Sequence, residues 1–273
     1  MKKPTLSIVI LCYNEEKFIE RCLKSAINQT EKADEIIVVD NNSTDDSVKI
    51  IRRIKKEKPE SNIRLLSEKQ QGMIPARNKG FNSAKSEIIG RIDADSTLEK
   101  DWVKVVKEVF TDKTVAAATG PVIYNDMPMK KVGLYGDNAV RKLLASISEH
   151  KFLFGSNMAI RATAWNKVKD KAYFALAHED ICHEDVDLAL CLKKDDLKIV
   201  YAEKMVGGAS ARRIENSPKE FAAYNQKYIN AYKRHNIKCF RSSKLPVAGL
   251  WTVYFPVKFM RFVYKQTRRE REE

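Results

Sequence analysis

The chain has 273 residues, a formal net charge of +14 at pH 7 and a hydrophobic fraction of 44%, which is ordinary for a globular protein. This length accommodates one large α/β domain, or one domain with a short appendage, and no Pro/Gly-rich linker or repeat divides it. Its five cysteines are scattered and never form a C-x-x-C pair, which argues against a disulfide framework or a zinc ribbon and favours a reducing compartment.

The N-terminal apolar run, residues 6–11, is too short for a signal peptide, and Glu15 and Glu16 follow it closely. It is predicted to be a buried first strand. The protein is therefore expected in the cytoplasm.

Short β-branched runs alternate with longer amphipathic stretches through the first half of the chain. Strands are predicted over residues 6–12, 35–40, 62–66, 87–92 and 115–123. Helices are predicted over residues 16–29, over residues 75–84, and along Val103, Val106 and Phe110. A further helix is predicted after the second strand, capped by Ser43 or Thr44 and with Asp45 and Asp46 in its first turn. This alternation predicts an α/β fold with a mostly parallel, doubly wound, Rossmann-like sheet flanked by helices.

The second half of the chain is less regular. The pattern loosens over residues 124–153, and strands are predicted over residues 155–161 and 198–202. Helices are predicted over residues 185–194 and 220–235.

Polar side chains follow three of the predicted strands, where open α/β sheets bind ligands. Tyr13 and Glu15 follow the first strand, Asp40 ends the second, and Asp93 and Asp95 follow the fourth. The dinucleotide pattern G-x-G-x-x-G is absent, which counts against a nicotinamide or flavin enzyme. Both carboxylates of the D-x-D pair point the same way from an extended strand end, which suits Mn²⁺ or Mg²⁺ bridging to phosphate. The alternative is an Asx-rich turn that merely ends a strand.

The segments SIVILCYNEE, EIIVVDNNSTDDS, GMIPARNKGFNSAKSEIIGRIDADS and HEDVDLALCLKK closely resemble family 2 glycosyltransferases of the GT-A fold in order and spacing. The resemblance runs from about residue 6 to residue 213. It implies a GT-A domain over residues 1–215, with a nucleotide-sugar half to about residue 123 and an acceptor half over residues 124–215. A helical extension rich in basic and aromatic residues follows over residues 216–273.

The resemblance also implies the reaction: inverting transfer of a sugar from a UDP-sugar, or alternatively a GDP-sugar, to a hydroxyl of a glycan or lipid-linked acceptor. Asp185 would be the general base, Asp95 the metal ligand, and Asp93 a contact to ribose or metal. Asp40 would recognise the nucleobase, and Arg77 would lie near the base and diphosphate. The implied donor-binding residues are Tyr13, Glu15, Asp40, Asn42, Arg77, Asp93, Asn157 and Glu184. Mn²⁺ or Mg²⁺ is the implied cofactor.

Three features depart from the family pattern. The segment His178-Glu179-Asp180 repeats as His183-Glu184-Asp185, and the second copy is preferred for the base because it continues into a helix. Both histidines are interpreted as loop residues rather than metal ligands. Many relatives carry a histidine or arginine on a loop after the base that reaches the diphosphate; here the candidates are Arg212 and Arg213, and no histidine is present in that loop, which leaves the third protein ligand to the metal open. The Q-x-x-R-W signature of processive synthases is missing, which favours single addition.

The segment from Leu245 to Arg271 combines five aromatic side chains with four basic ones along one helical side. The aromatic residues are Trp251, Tyr254, Phe255, Phe259 and Phe262, and the basic ones Lys258, Arg261, Lys265 and Arg268. Pro256 is predicted in a first helical turn, and the apolar residues 247–257 are too few to span a bilayer. We predict an interfacial helix on an anionic inner leaflet, which would also explain the net charge. A helix packed on the domain with solvated lysines is the alternative.

Two other classes of function remain as alternatives. One is a non-catalytic module that binds a nucleotide or nucleic acid, although intact Asp95 and Asp185 argue against it, and no nucleic-acid partner is expected. The other is a sugar nucleotidyltransferase. That class usually opens with a glycine-rich basic loop after the first strand, and Tyr13-Asn14-Glu15 is unlike it.

Overall fold

The computed structural model describes residues 3–128, 130–147, 152–173, 182–237 and 245–272. The strands are β1 (Leu6–Cys12), β2 (Glu35–Asp40), β3 (Ile63–Ser67), β4 (Ile88–Asp93), β5 (Thr97–Leu98), β6 (Val115–Thr119), β7 (Val122–Tyr124), β8 (Met158–Arg161), β9 (Lys198–Tyr201) and β10 (Gly207–Ala209). The helices are α1 (Ile19–Ile27), α2 (Ser47–Glu57), α3 (Met73–Ser83), α4 (Trp102–Val109), α5 (Lys130–Ile147), α6 (Ala162–Tyr173), α7 (Glu184–Lys194), α8 (Pro218–Arg234) and α9 (Leu245–Glu272).

Seven strands form the main sheet, in the order β3-β2-β1-β4-β8-β6-β9. Only β8 runs antiparallel to its neighbours, β4 and β6, and the other pairs are parallel. A small second sheet has the order β5-β10-β7. The predicted mostly parallel sheet is confirmed.

Strand β1 lies at the centre of the fold, and every residue in it is buried. Ile8 and Ile10 belong to a core layer with Leu23 of α1, whereas Val9 belongs to the opposite layer with Phe81 of α3. Because successive side chains of a strand point to opposite faces, an unbroken apolar run supplies both layers. The predicted helical cover on both faces is confirmed.

The predicted single strand over residues 115–123 is wrong. The segment divides into β6 and β7, which lie in different sheets. The break falls at Gly120-Pro121, where a Cβ on Gly120 would lie 2.1 Å from the carbonyl oxygen of Met205. Only glycine allows the backbone to approach so closely, and proline has no amide hydrogen to continue a ladder.

Helix α5 occupies much of the region that showed no regular pattern. Gly133 and Gly136 lie within it, and glycine has a low helix propensity, which hides the helix in the sequence. Tertiary contacts stabilise it instead: Asp137 accepts a hydrogen bond from the amide of Val122 at 2.9 Å and pairs with Arg141 at 2.5 Å.

Helix α2 begins later than predicted. It starts at Ser47, after Asp46, so Asp45 and Asp46 precede the first turn and neither Ser43 nor Thr44 caps the helix. The hydroxyl of Ser43 accepts a hydrogen bond from the amide of Asn14 instead. Ser43 therefore contacts the loop after β1 instead of capping helix α2.

Helix α9 docks on the rest of the chain through its basic side. Arg261 donates to Glu215 at 2.5 Å and pairs with Asp126 at 2.9 Å, and Lys265 donates to Glu215 at 2.7 Å. Lys258 donates to a backbone carbonyl at 2.6 Å. These three basic side chains are thus used to hold the helix to the domain, which differs from their predicted contact with an anionic leaflet.

The outer side of α9 is apolar. Phe255, Phe259 and Phe262 are 61%, 69% and 59% exposed and follow one another at helical spacing. Pro256 lies inside the helix and not in its first turn. It is exposed, so its ring meets solvent rather than the domain. Among the described residues, none of the helices combines the length and apolar content that crossing a membrane requires.

Candidate active site

The carboxyl ends of β2 and β4 lie on either side of the end of β1. In the parallel register, Asp40 pairs with Cys12 and Asp93 pairs with Leu11. Since neighbouring strands lie about 4.8 Å apart, the two aspartates are about 10 Å apart across β1. They therefore share one edge of the sheet, where ligands bind in folds of this class.

Tyr13 and Glu15 lie in a loop that is attached to the start of α2. The amide of Asn14 donates to the hydroxyl of Ser43 at 3.0 Å, and the amide of Glu15 donates to that of Ser47 at 2.8 Å. The side chain of Tyr13 remains 50% exposed. The segment predicted to wrap the nucleotide is thus held rigidly while its aromatic ring stays accessible.

Two asparagines after β2 hold the loop that follows β3. Asn42 adopts a left-handed conformation (φ 66°) and donates to the carbonyl of Lys69 at 2.8 Å. Asn41 donates to two carbonyls of residues 68–70 and accepts from the amide of Gly72 at 2.7 Å. Asn41 was not predicted as a site residue. An amide directly after a buried strand is the signal that could have identified it.

Asp93 ends β4, and Asp95 follows in the next turn. Burial, and then the charge of Asp93, raise the pKa of Asp95 to about 6. Arg212 lies beside this pair: its Nη2 is 3.1 Å from Asp95 Oδ2, and its Nη1 donates to Glu15 Oε2 at 3.0 Å. A guanidinium thus offsets the negative charge of the cleft. Two adjacent carboxylates provide the oxygen ligands that Mn²⁺ and Mg²⁺ prefer, so Asp93 and Asp95 fit the predicted metal.

A buried arginine of β4, Arg91, connects the D-x-D pair with α7. Its Nη2 donates to Asp93 Oδ1 at 3.0 Å, and its Nη1 donates to Glu184 Oε1 at 2.6 Å. Burial alone would raise the pKa of Glu184, but the charges of Arg91 and Arg77 outweigh it and hold that pKa at about 2. Arg91 was not predicted as a site residue. A charged residue within the apolar run of a strand is the sequence feature that could have identified it.

Asp185 lies next to Glu184 in the first turn of α7. Its Oδ2 accepts a hydrogen bond from the amide of Gly155, and its Oδ1 accepts one from the amide of Val186, both at 2.8 Å. Burial, and then the charge of Glu184, raise the pKa of Asp185. A Cβ on Gly155 would lie 2.5 Å from Nη1 of Arg91, so any other residue here would displace the guanidinium of Arg91. A carboxylate with a raised pKa is suited to accepting a proton.

Arg77 lies in the core rather than in the cleft. It has no exposed surface, and its guanidinium lies 5.4 Å from the ring of Trp165. Its Nη1 donates to the backbone carbonyl of Glu184 at 3.2 Å. The prediction that Arg77 lies at the base and diphosphate is wrong in this structure, because its guanidinium is enclosed by protein.

Asn157 is likewise fully buried. Its Nδ2 donates to the carbonyls of Pro121 and Met205, and its Oδ1 accepts from the indole of Trp102. The prediction that it lines the donor sugar is wrong in this structure, because its amide joins the two sheets.

The remaining predicted residues lie beside α8. The guanidinium of Arg213 is 4.2 Å from the ring centroid of Tyr224, and His183 Nε2 is 3.0 Å from the carbonyl oxygen of Tyr224. His183 is thus a satisfied loop histidine, as predicted. The competing segment His178-Glu179-Asp180 lies outside the described residues.

The chain matches the models of two related protein families. Residues 7–168 match glycosyl transferase family 2, and residues 88–268 match glycosyl transferase family group 2. Among curated proteins, it is 36% identical over 114 residues to a chondroitin synthase of Pasteurella multocida. That alignment covers 41% of this chain and only 12% of the synthase.

Solved structures share the fold. A mannosyltransferase from Pyrobaculum calidifontis in complex with GDP-Man and Mn²⁺ superposes with a TM-score of 0.66 at 18% identity, covering 97% of this chain and 85% of that one. Glucosyl-3-phosphoglycerate synthase from Mycobacterium tuberculosis, in complex with Mn²⁺, UDP-glucose and glycerol 3-phosphate, gives a TM-score of 0.56 at 20% identity. That superposition covers 86% of this chain and 82% of the synthase. At these identities the likeness establishes the GT-A fold.

Proposed function

This chain belongs to glycosyl transferase family 2, and we propose that it transfers a sugar with inversion from a nucleotide-diphosphate sugar to a hydroxyl of a glycan or lipid-linked acceptor. A UDP-sugar is the proposed donor and a GDP-sugar the alternative; solved relatives of the same fold hold UDP-glucose or GDP-Man. A relative named chondroitin synthase supports a glycan acceptor. The domain boundaries at about residues 123 and 215 remain predictions.

The network through Arg91 is the observation that supports this proposal most strongly. One buried guanidinium bonds Asp93, which belongs to the D-x-D pair, and Glu184, which precedes Asp185. A fixed spacing between metal ligand and base is what displacement at an anomeric carbon requires, because the acceptor and the leaving group must lie on opposite sides of that carbon.

In the proposed reaction, Asp185 takes the proton of the acceptor hydroxyl as its oxygen attacks the anomeric carbon. The bond between that carbon and the diphosphate oxygen breaks on the opposite side, which inverts the configuration. The pKa of Asp185 is raised by burial, so the carboxylate is a stronger base than a solvated aspartate. The nucleoside diphosphate departs carrying the bonding electron pair.

Asp93 and Asp95 would hold Mn²⁺ or Mg²⁺. The ion, when bound, would offset the negative charge that develops on the departing diphosphate. Arg212 pairs with Asp95 and Glu15 here, and we propose that it exchanges this contact for the diphosphate when donor binds. Asp40 and Tyr13 would contact the nucleoside at the other side of β1.

Replacing Asp95 with alanine is expected to lower Mn²⁺-dependent hydrolysis of UDP-glucose about 100-fold or more, since the metal contributes several kcal/mol to stabilising the leaving group. Release of UDP, measured with and without Mn²⁺ across a panel of UDP- and GDP-sugars, tests this. Asp46→Ala is the matched control, because Asp46 is an exposed carboxylate before α2 and should leave hydrolysis unchanged. Equal, metal-independent rates in both variants would contradict the proposed metal role.

We also propose that the phenylalanine face of α9 binds a membrane surface. Phe255, Phe259 and Phe262 form a contiguous exposed apolar face, while the basic residues on the adjacent side hold the helix in place. Apolar insertion therefore drives this contact, with the overall charge of +14 adding attraction to anionic lipids. A peripheral position at the inner leaflet would bring the cleft to lipid-linked acceptors.

The triple variant F255S/F259S/F262S is expected to bind vesicles containing phosphatidylglycerol at least tenfold more weakly, because each buried phenylalanine contributes about 1.5–3 kcal/mol. Sedimentation with vesicles measures this. Tyr135→Ser is the control, since Tyr135 is an equally exposed aromatic residue (73%) on α5. Undiminished binding of the triple variant would locate the membrane contact elsewhere.

A further inference from the structure

A second group of potential metal ligands lies on the side of α7 that faces α8. Asp187 and Cys191 are one helical turn apart on α7, and His235 directly follows the last residue of α8. One ligand atom from each of these three residues lies within 4.8 Å of the others, and all three residues are buried. Within the described ranges, no other group of three such residues is this compact.

Internal hydrogen bonds leave this group only partly satisfied. His235 Nε2 lies 2.8 Å from Asp187 Oδ1, and the guanidinium of Arg234 pairs with the same oxygen. The other oxygen, Asp187 Oδ2, and the other ring nitrogen, His235 Nδ1, are buried without a hydrogen-bond partner. Buried polar atoms of folded proteins are nearly always bonded, so two unpartnered atoms beside a cysteine indicate a missing ligand.

The group also borders an accessible space. A cavity of about 340 Å³ is lined by Cys191, Arg234 and His235, together with Asp170, Lys171 and Lys194. Two of the three candidate ligands, Cys191 and His235, therefore border this space, and a fourth ligand such as water has room on the cavity side.

We propose that Asp187, Cys191 and His235 form a binding site for Zn²⁺, separate from the D-x-D cleft. One thiolate, one imidazole and one carboxylate form a ligand set that Zn²⁺ accepts in tetrahedral geometry, whereas Mn²⁺ and Mg²⁺ prefer oxygen ligands. The two anionic ligands balance the charge of the ion, and Arg234 continues to balance the second carboxylate oxygen. Asp187 Oδ2 would gain the partner that it lacks, and His235 Nε2 would bind the ion in place of its present contact with Asp187 Oδ1.

Such an ion would tie α8 to the helix that presents Glu184 and Asp185. Asp187 is two residues from Asp185 on α7. Helix α8 already contacts α7 through the pair between Arg234 and Asp187 and through a small apolar cluster that includes Val186, Leu190 and Ala231. The proposed role is thus to position the catalytic helix from behind, without contact to substrate.

Co²⁺ is the probe for this site, because thiolate-bound tetrahedral Co²⁺ has intense charge-transfer and visible absorption that oxygen-bound Co²⁺ lacks. We expect the full chain to bind Co²⁺ with a thiolate charge-transfer band, and Zn²⁺ but not Mg²⁺ to displace it. Cys191→Ser should abolish the band, and His235→Gln should weaken Co²⁺ binding at least tenfold.

Two controls separate this site from the others. Cys12→Ser changes a buried cysteine elsewhere and Asp95→Ala removes the other proposed metal ligand, and both should keep the band. Circular dichroism checks that each variant is folded. If Cys191→Ser does not fold, His235→Gln tests the site instead, because His235 lies at the end of a helix. A folded wild-type chain without a thiolate band, or a band that survives Cys191→Ser, would overturn the proposal.

Discussion

Replacing Asp185 with asparagine is expected to lower kcat for sugar transfer by about 10²–10⁴-fold while leaving donor binding nearly unchanged. General-base catalysis contributes a factor of this size, and an amide cannot accept the acceptor's proton. The carboxylate accepts hydrogen bonds from the amides of Gly155 and Val186, and the single amide oxygen of asparagine can reproduce one of the two. Initial rates at saturating donor, together with donor affinity from calorimetry, measure the two effects separately.

Asp196→Asn is the matched control for this variant. Asp196 lies just beyond the other end of α7 and is exposed with a positive φ of 54°, a conformation that asparagine tolerates well. Its transfer rate should equal that of the wild type. Full activity in Asp185→Asn with normal donor affinity would show that another carboxylate, such as Glu179 or Asp180, is the base.

Replacing Arg91 with methionine is expected to lower the free energy of unfolding by about 3–5 kcal/mol, because it leaves the carboxylates of Asp93 and Glu184 without their shared buried partner. Arg91 is almost completely buried (1% exposed). Urea unfolding followed by circular dichroism measures the change. Arg53→Met is the control: Arg53 also pairs with two glutamates, but at the surface, where such pairs contribute about 0–1 kcal/mol. Equal losses in the two variants would contradict the role of Arg91.

The ion pair between Arg91 and Glu184 predicts how the free energy of unfolding depends on pH. The pKa of Glu184 is about 2 in the folded chain, against an ordinary value of 4.5. Because folding lowers the pKa of Glu184, its ionised carboxylate stabilises the folded state fully at pH values above the pKa of the unfolded chain. This contribution is lost as the pH falls from about 5 toward 2. The wild type should therefore lose stability in this window more steeply than Arg91→Met. Parallel slopes for the two proteins would show that Glu184 does not ionise against Arg91.

Much of the sheet could be predicted from the sequence because its signals are local. Strands β1 and β2 begin and end at the predicted residues, since unbroken apolar runs bounded by polar residues permit burial on both faces. The break between β6 and β7 could not be predicted in this way. It depends on the backbone of residue 205 approaching Gly120, which is distant in sequence.

The acidic residues of the candidate site were also predictable. Asp40, Asp93 and Asp95 follow apolar strands, and parallel strand ends meet at one edge. Arg77 and Asn157 match the family pattern equally well, yet both are enclosed by protein. Sequence similarity assigns a residue to a segment but does not determine which way its side chain points.

The sequence by itself determined the family, the sheet and the acidic edge, because apolar periodicity and short polar motifs act over a few residues. Only the tertiary structure showed that Arg91 joins Asp93 to Glu184, that the basic side of α9 faces inward, and that Asp187, Cys191 and His235 meet. Each of these contacts joins segments far apart in the chain, and their partners are selected by packing and by the need to neutralise buried charge.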